Sequence, residues 1–231
     1  MNSPRQLLLD LPHRIAMGRD DFLVAESNSA AVKLIDDWPH WPAHAGLLVG
    51  PEGSGKSHLA QVWQMKSGAK IMPLSDLPIM NIPQILEAGA LCLEHVQGRQ
   101  FDETALFHAL NHAKQNGGSI LLTSREEASA WLIKLPDLDS RLKAIPMVRI
   151  EPPNDSLLRG VLVKLFADRQ INVDESLVSY MLTRMPRSLA AARYLVTEID
   201  NQALVEKAEV TRPFVGRVIA ALESPRLFEI D

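Results

Sequence analysis

Short, continuous apolar runs alternate with helix-period segments through the middle of this chain. The runs fall at residues 46–49, 70–72, 90–93, 119–122 and 147–150, and helical spacing occupies stretches such as 56–65 and 103–114. Runs of this length without polar alternation fit strands buried on both faces. Strands separated by helices imply parallel pairing through right-handed crossovers. The pattern therefore predicts an α/β domain, a parallel five-stranded sheet with helices on both faces. Such sheets bind ligands beyond the carboxyl ends of their strands.

The pattern changes at Glu151-Pro152-Pro153-Asn154. Asn154 or Asp155 can cap a helix carrying Leu157, Leu158, Val161, Leu162, Leu165 and Phe166 on one face. Helical patterns follow at about 175–185, 187–202 and 211–223, with Asp174 and Thr211 as candidate caps and Pro213 in the first turn of the last. No strand-like run interrupts them. The expected organisation is an N-terminal tail over 1–20, an α/β nucleotide-binding domain over 21–151 and a small all-α lid domain over 152–231.

Composition narrows the class. The 231 residues carry 24 Lys+Arg against 28 Asp+Glu, a net charge of −4, which argues against sequence-blind coating of nucleic acid. A single cysteine, Cys92, excludes an internal disulfide framework, and its place in an apolar run assigns it to the core. No run reaches the 18 or more apolar residues of a membrane span, so no membrane association is expected and the chain is read as cytoplasmic. The segment 38–42, Trp-Pro-His-Trp-Pro, reads as packing at the entry to the first strand.

The strongest chemical signal is Gly50-Pro51-Glu52-Gly53-Ser54-Gly55-Lys56-Ser57, a complete G-x-x-x-x-G-K-[ST] phosphate loop between an expected strand and an expected helix. Its glycines let backbone N–H groups curl around phosphate oxygens, and the helix N-terminus adds partial positive charge. Lys56 is expected to reach the β- and γ-phosphates and the Ser57 hydroxyl to ligate Mg²⁺. His58, next on the helix, is grouped with the nucleotide-binding residues.

A phosphate loop also needs an acid at a neighbouring strand end to hold the metal, and a group to orient water. The candidate is Leu91-Cys92-Leu93-Glu94-His95. Glu94 can be the metal-side carboxylate with His95 orienting water. In the shifted register Glu94 becomes the base and Leu93 stands where the metal carboxylate belongs. Either way one partner is atypical, so nucleotide binding is expected with slow or absent intrinsic hydrolysis. Arg141, on a short helical turn before the last strand, and Arg187, at the start of a lid helix, are cations placed where charge could be sensed.

Taken together, the loop at 50–57, the degenerate strand end at 90–95, Leu121-Leu122-Thr123-Ser124, the segment Leu135-Pro136-Asp137-Leu138-Asp139-Ser140-Arg141-Leu142 and the helical lid resemble the AAA+ ATPase family. Within it the chain resembles the DnaA-related branch of replication regulators typified by Hda, most like the alphaproteobacterial form. The resemblance covers nearly the whole chain. It implies that Phe22, Leu23 and Val24 pack on adenine, that Thr123 and Ser124 occupy a sensor position beyond the fourth strand, that Arg141 is an arginine finger acting on a neighbouring subunit's nucleotide, and that Arg187 is the lid sensor. Arg125 stands where initiators usually carry Asp. Gln6, Leu7, Leu9 and Leu11 resemble a short motif that docks on the DNA polymerase sliding clamp. The DNA-binding domain of the initiator is absent after Asp231, so sequence-specific duplex DNA binding is not expected.

The implied function is a regulator that binds ADP or ATP with Mg²⁺, docks on the clamp and stimulates hydrolysis of DnaA-bound ATP, with homo-oligomerisation possible. An autonomous AAA+ ATPase of the initiator or helicase-loader type is the alternative.

Overall fold

The computed structural model describes residues 23–96 and 101–223. Five strands, β1 (Ala45–Val49), β2 (Lys70–Pro73), β3 (Ala90–Val96), β4 (Ser119–Ser124) and β5 (Met147–Arg149), form one parallel sheet in the order β2-β3-β4-β1-β5. The runs read as strands are strands. Two of them extend further than their apolar cores. β3 continues through Glu94 and His95, and β4 through Thr123 and Ser124, so Glu94, Thr123 and Ser124 are held by ladder pairing, while His95 sits in a break of the β3–β4 register.

Alternate side chains of each central strand enter different cores, as pleating requires. Leu47, Leu91, Leu93, Ile120 and Leu122 face α4 (Glu103–Asn116) and α5 (Pro136–Ala144). Leu48, Cys92 and Leu121 face α1 (Ser29–Asp36) and α2 (Lys56–Ser67), where Trp41 stacks on Trp63 with ring centroids 5.3 Å apart. The Trp-Pro segment thus packs against the sheet's first helical layer, and Cys92 is wholly buried. Helix α1 and the four-residue α3 (Ile82–Ile85) were not legible as separate elements.

Beyond β5, helices α6 (Asp155–Ala167), α7 (Glu175–Leu182), α8 (Leu189–Glu206) and α9 (Arg212–Glu223) enclose a separate apolar core around Leu158, Leu162, Phe166, Val178, Met181, Val196 and Ile199. Side-chain caps start three of them. Asn154 accepts from the Leu157 N–H at 2.9 Å, Asp174 from Leu177 at 2.7 Å and Ser188 from Ala191 at 3.2 Å. Helix α7 stops at Leu182, three residues short of its expected end, and α8 starts after Arg187 and runs on to Glu206. Among the described residues no helix is long and apolar enough to cross a membrane.

Leu121 is fully buried on central strand β4, so Leu121→Ala is expected to cost about 2–5 kcal/mol of unfolding free energy, whereas Met80→Ala on the surface stays within about 0.5 kcal/mol. Urea unfolding of both variants checks the contrast.

Candidate functional site

β1 ends at Val49 and the chain turns at once into the phosphate loop, with Gly53 at φ +71° and Gly55 at φ +103°. These left-handed positions are open to glycine at no steric cost and aim successive backbone N–H groups inward. Lys56 Nζ donates to the carbonyls of Gly50 and Pro51, both at 2.7 Å, which holds the ammonium inside the loop. Burial, and then the nearby Arg125 guanidinium, lower the Lys56 pKa; Glu52 and Glu94 oppose the shift.

The loop opens on a pocket of about 200 Å³ lined by Glu52, Gly53, Lys56, Ser57, His95, Thr123, Ser124 and Arg125. Three strand ends build it. Between Leu93 and Val96 the β3–β4 register slips, and His95 sits at the slip with φ +56°. This bulge turns the imidazole to the pocket mouth while Glu94 stays half-buried. Leu93 is fully buried in the apolar core.

On β4, the Ser124 hydroxyl donates to the Val96 carbonyl at 2.8 Å and accepts from the Glu126 N–H at 3.0 Å. That hydroxyl ties two strand ends together, leaving Thr123 as the less committed of the sensor pair. Arg125 follows directly and pairs with Glu52 of the phosphate loop at 2.8 Å.

The donor set fits a nucleotide with its cation. The glycines form a cradle that side chains would fill: a Cβ on Gly53 would lie 2.1 Å from Ser188 Oγ, and one on Gly50 would lie 2.7 Å from the Ile150 carbonyl oxygen. Glu94 Oε1 is buried without a hydrogen-bond partner among the described residues. A carboxylate and the Ser57 hydroxyl are the hard oxygen ligands that Mg²⁺ takes.

The lid meets the loop directly. The Leu189 N–H, at the start of α8, donates to the Gly53 carbonyl at 3.0 Å. Arg193, one turn further along α8, reaches His58 on the first turn of α2 and hydrogen-bonds its Nδ1. Burial lowers the Arg193 pKa, yet a guanidinium remains charged in proteins. Arg187 lies elsewhere, with its guanidinium 3.0 Å from the Asp155 carboxylate at the start of α6. Arg193 was missed in the sequence. Its one signal is a lone arginine between the apolar stretches Leu189-Ala190-Ala191-Ala192 and Tyr194-Leu195-Val196, where a cation needs a reason to be buried.

On the adenine side, Phe22 and the clamp-motif residues Gln6, Leu7, Leu9 and Leu11 lie outside the described residues. Leu23 packs against the lid core, and its Cδ1 lies 3.3 Å from where a Cβ on Gly160 of α6 would be; Val24 is exposed. Asn28, also missed as a site residue, is buried and clips this segment, accepting from the Ala25 N–H and donating to the Leu23 carbonyl. Ser27 Oγ is buried without a hydrogen-bond partner among the described residues.

Arg141 is on α5 at the opposite edge of the sheet. It shares a cleft with Pro42 and Ala43, which precede β1, with Lys114, and with Ile145, which precedes β5. Its guanidinium lies 5.1 Å from the centre of the Phe107 ring, a cation–π contact, and it enters no ion pair among the described residues. The acid two positions before it, Asp139, is taken by Lys143 at 2.6 Å.

Comparison with known proteins places this geometry. The family model for the Hda lid domain matches residues 158–219. In sequence, the chain is 26% identical to an uncharacterised protein of Haemophilus influenzae over 74% of this chain and 79% of that one. It is 24% identical to the chromosomal replication initiator protein DnaA 1 of Chlamydia pneumoniae over 90% of this chain and 52% of the initiator. In structure, domain III of Thermotoga maritima DnaA superimposes with a TM-score of 0.73 at 18% identity, over 90% of this chain and 98% of that one. AMPPCP-bound DnaA from Aquifex aeolicus gives 0.67 at 15% identity, over 86% and 67%. The chain has the fold of DnaA domain III, matches the Hda lid family over residues 158–219 and is similar in sequence to DnaA. It spans about half the length of the DnaA relative it matches in sequence, and the five-stranded parallel sheet with a helical C-terminal region is the AAA+ fold.

Gly53→Ala tests the junction of loop and lid. A left-handed φ with a side chain costs about 1–2 kcal/mol, and the added methyl must displace Ser188. The expected outcome is lower thermal stability together with faster amide exchange at the start of α8, read by hydrogen–deuterium exchange.

Proposed function

We propose that this DnaA-related AAA+ protein is a nucleotide-bound regulator of replication initiation that lends Arg141 to ATP held by DnaA. The observation that supports the reading best is the position of Arg141. All five strands run the same way, so the chain's own phosphate loop lies at the carboxyl edge and Arg141 lies at the amino edge. A five-residue strand separates them by roughly 16 Å at 3.3 Å per residue. A guanidinium there serves a nucleotide on another protein.

Arg141 has a planar fork of donors that matches phosphate oxygens, and no acidic partner among the described residues competes for it. In the complex it would neutralise charge that develops on the transferring γ-phosphoryl group, which requires the guanidinium to be preorganised. The Phe107 face supplies that by holding the side chain against α4 without satisfying its hydrogen bonds. Residues Gln6, Leu7, Leu9 and Leu11 would tether the chain to the sliding clamp and raise its effective concentration near DnaA.

The protein's own adenine nucleotide, ADP or ATP, would be held by residues 50–57, with Ser57 and Glu94 as the Mg²⁺ ligands and Leu23 beside the base. The bound cation would neutralise phosphate charge. Arg193, through its contact with α2, is better placed than Arg187 to pass nucleotide occupancy to the lid. Weak intrinsic hydrolysis accords with His95 in the water-orienting position and with a Ser124 hydroxyl already engaged in strand pairing.

Arg141→Ala is expected to reduce stimulation of DnaA-bound ATP hydrolysis by about 10³-fold or more in the presence of clamp loaded on DNA. Unchanged stimulation rules the mechanism out. Separately, the double variant Gln6→Ala, Leu9→Ala is expected to lose capture by immobilised clamp, and retained capture removes the tether from the proposal.

A further inference from the structure

The phosphate pocket contains a cation that the phosphate-loop motif does not explain. Arg125, immediately after β4, faces Lys56 across the pocket and pairs with Glu52 on the rim of the loop. We infer that Arg125 is a specificity residue for the chain's own nucleotide, exchanging Glu52 for the terminal phosphate of a triphosphate. The inference rests on the nucleotide-binding reading above and deepens it.

Two cations, Lys56 and Arg125, share a pocket of about 200 Å³ with the carboxylates Glu52 and Glu94 close by. Glu52 is a weak holder of Arg125. Its side chain is 76% exposed, Arg125 is 50% exposed, and ion pairs in that setting exchange readily.

Phosphate geometry decides which phosphate is met. The loop amides and the N-terminus of α2 enclose the phosphates nearest the turn. Groups at the ends of β3 and β4, across the pocket from the loop, face the far one. His95, Thr123 and Arg125 occupy that side. A guanidinium there forms two parallel charge-assisted hydrogen bonds to a terminal phosphate, while a diphosphate leaves it on Glu52.

Equilibrium binding of ATP and of ADP to the full chain with Mg²⁺, by titration calorimetry, tests this. Arg125→Ala is expected to weaken ATP about 10-fold, the scale of a lost charge-assisted pair, and ADP by less than about twofold. Arg125→Lys, which keeps charge without the fork, is expected to fall between. Glu52→Gln removes the competitor and is expected to tighten ATP about threefold. Equal weakening of ATP and ADP by Arg125→Ala, or no weakening of either, overturns the inference. Lys56→Ala separates the two levels: if it retains ATP affinity, the phosphate-loop reading falls and this inference falls with it. If Lys56→Ala abolishes binding while the ATP-to-ADP ratio of Arg125→Ala is unchanged, only the inference falls.

Discussion

A parallel sheet has two chemically different edges, and the division of labour in this chain follows from that polarity. Every strand delivers its carboxyl end to the same side, so the phosphate loop after β1, the Glu94–His95 end of β3 and the Thr123–Arg125 end of β4 converge on one pocket. Every connecting helix must return to the amino side before the next strand begins. The return of α5 carries Arg141 to that far edge, beside the segment entering β1. One topological constraint therefore gathers the phosphate-loop pocket residues and sends Arg141 away from them. An arrangement of this kind suits a protein whose neighbours meet edge to edge, each edge incomplete without the other.

The lid is coupled to this edge by short polar contacts at the junction. The Gly53 carbonyl accepts the first amide of α8, Ser188 presses on the glycine's open face, and Arg193 reaches α2 through His58. Each contact touches either the phosphate loop or the helix it starts. The phosphate loop and the start of the 18-residue α8 are thus joined by direct contacts. Phe166, Val196 and Ile199 lock α8 into the lid's own apolar core, so the lid is one packed unit.

Sequence patterning made the layers legible because each depends on a local period. β1, β3 and β4 carry apolar residues on both faces since both faces are covered, and the lid helices declare themselves through caps such as Asn154 and Asp174. What escaped depended on tertiary contact. Helix α1 has no side-chain cap hydrogen bond, and the clip made by Asn28 depends on where Leu23 lies. Thr123 and Ser124 read as loop because polar residues end an apolar run, yet β1 pairs with them in register. Arg193 and Arg187 are both lid arginines near a helix start. Only the direction of α8, set by its packing on α6, decides which one faces α2 and which one faces Asp155. The bulge that aims His95 is likewise invisible to a two-residue period, since it is a break in that period.

The two ends of the sheet also differ in how far their charges are satisfied, and that difference bears on what each can do. At the carboxyl edge, Lys56 rests on two carbonyls and Arg125 on Glu52, while the Ser124 hydroxyl spans two strand ends. The positive groups there have local partners of modest strength, the condition for holding a ligand by exchange. Among the described residues no aspartate lines this pocket, and His95 stands beside its cations. At the amino edge, Arg141 lies on an aromatic face, which steadies a guanidinium without using its donors. A cation held in this way keeps its hydrogen-bond donors available. On the proposed reading, the chain keeps one nucleotide by distributing its charge among partners and acts on another by leaving a single charge unspent.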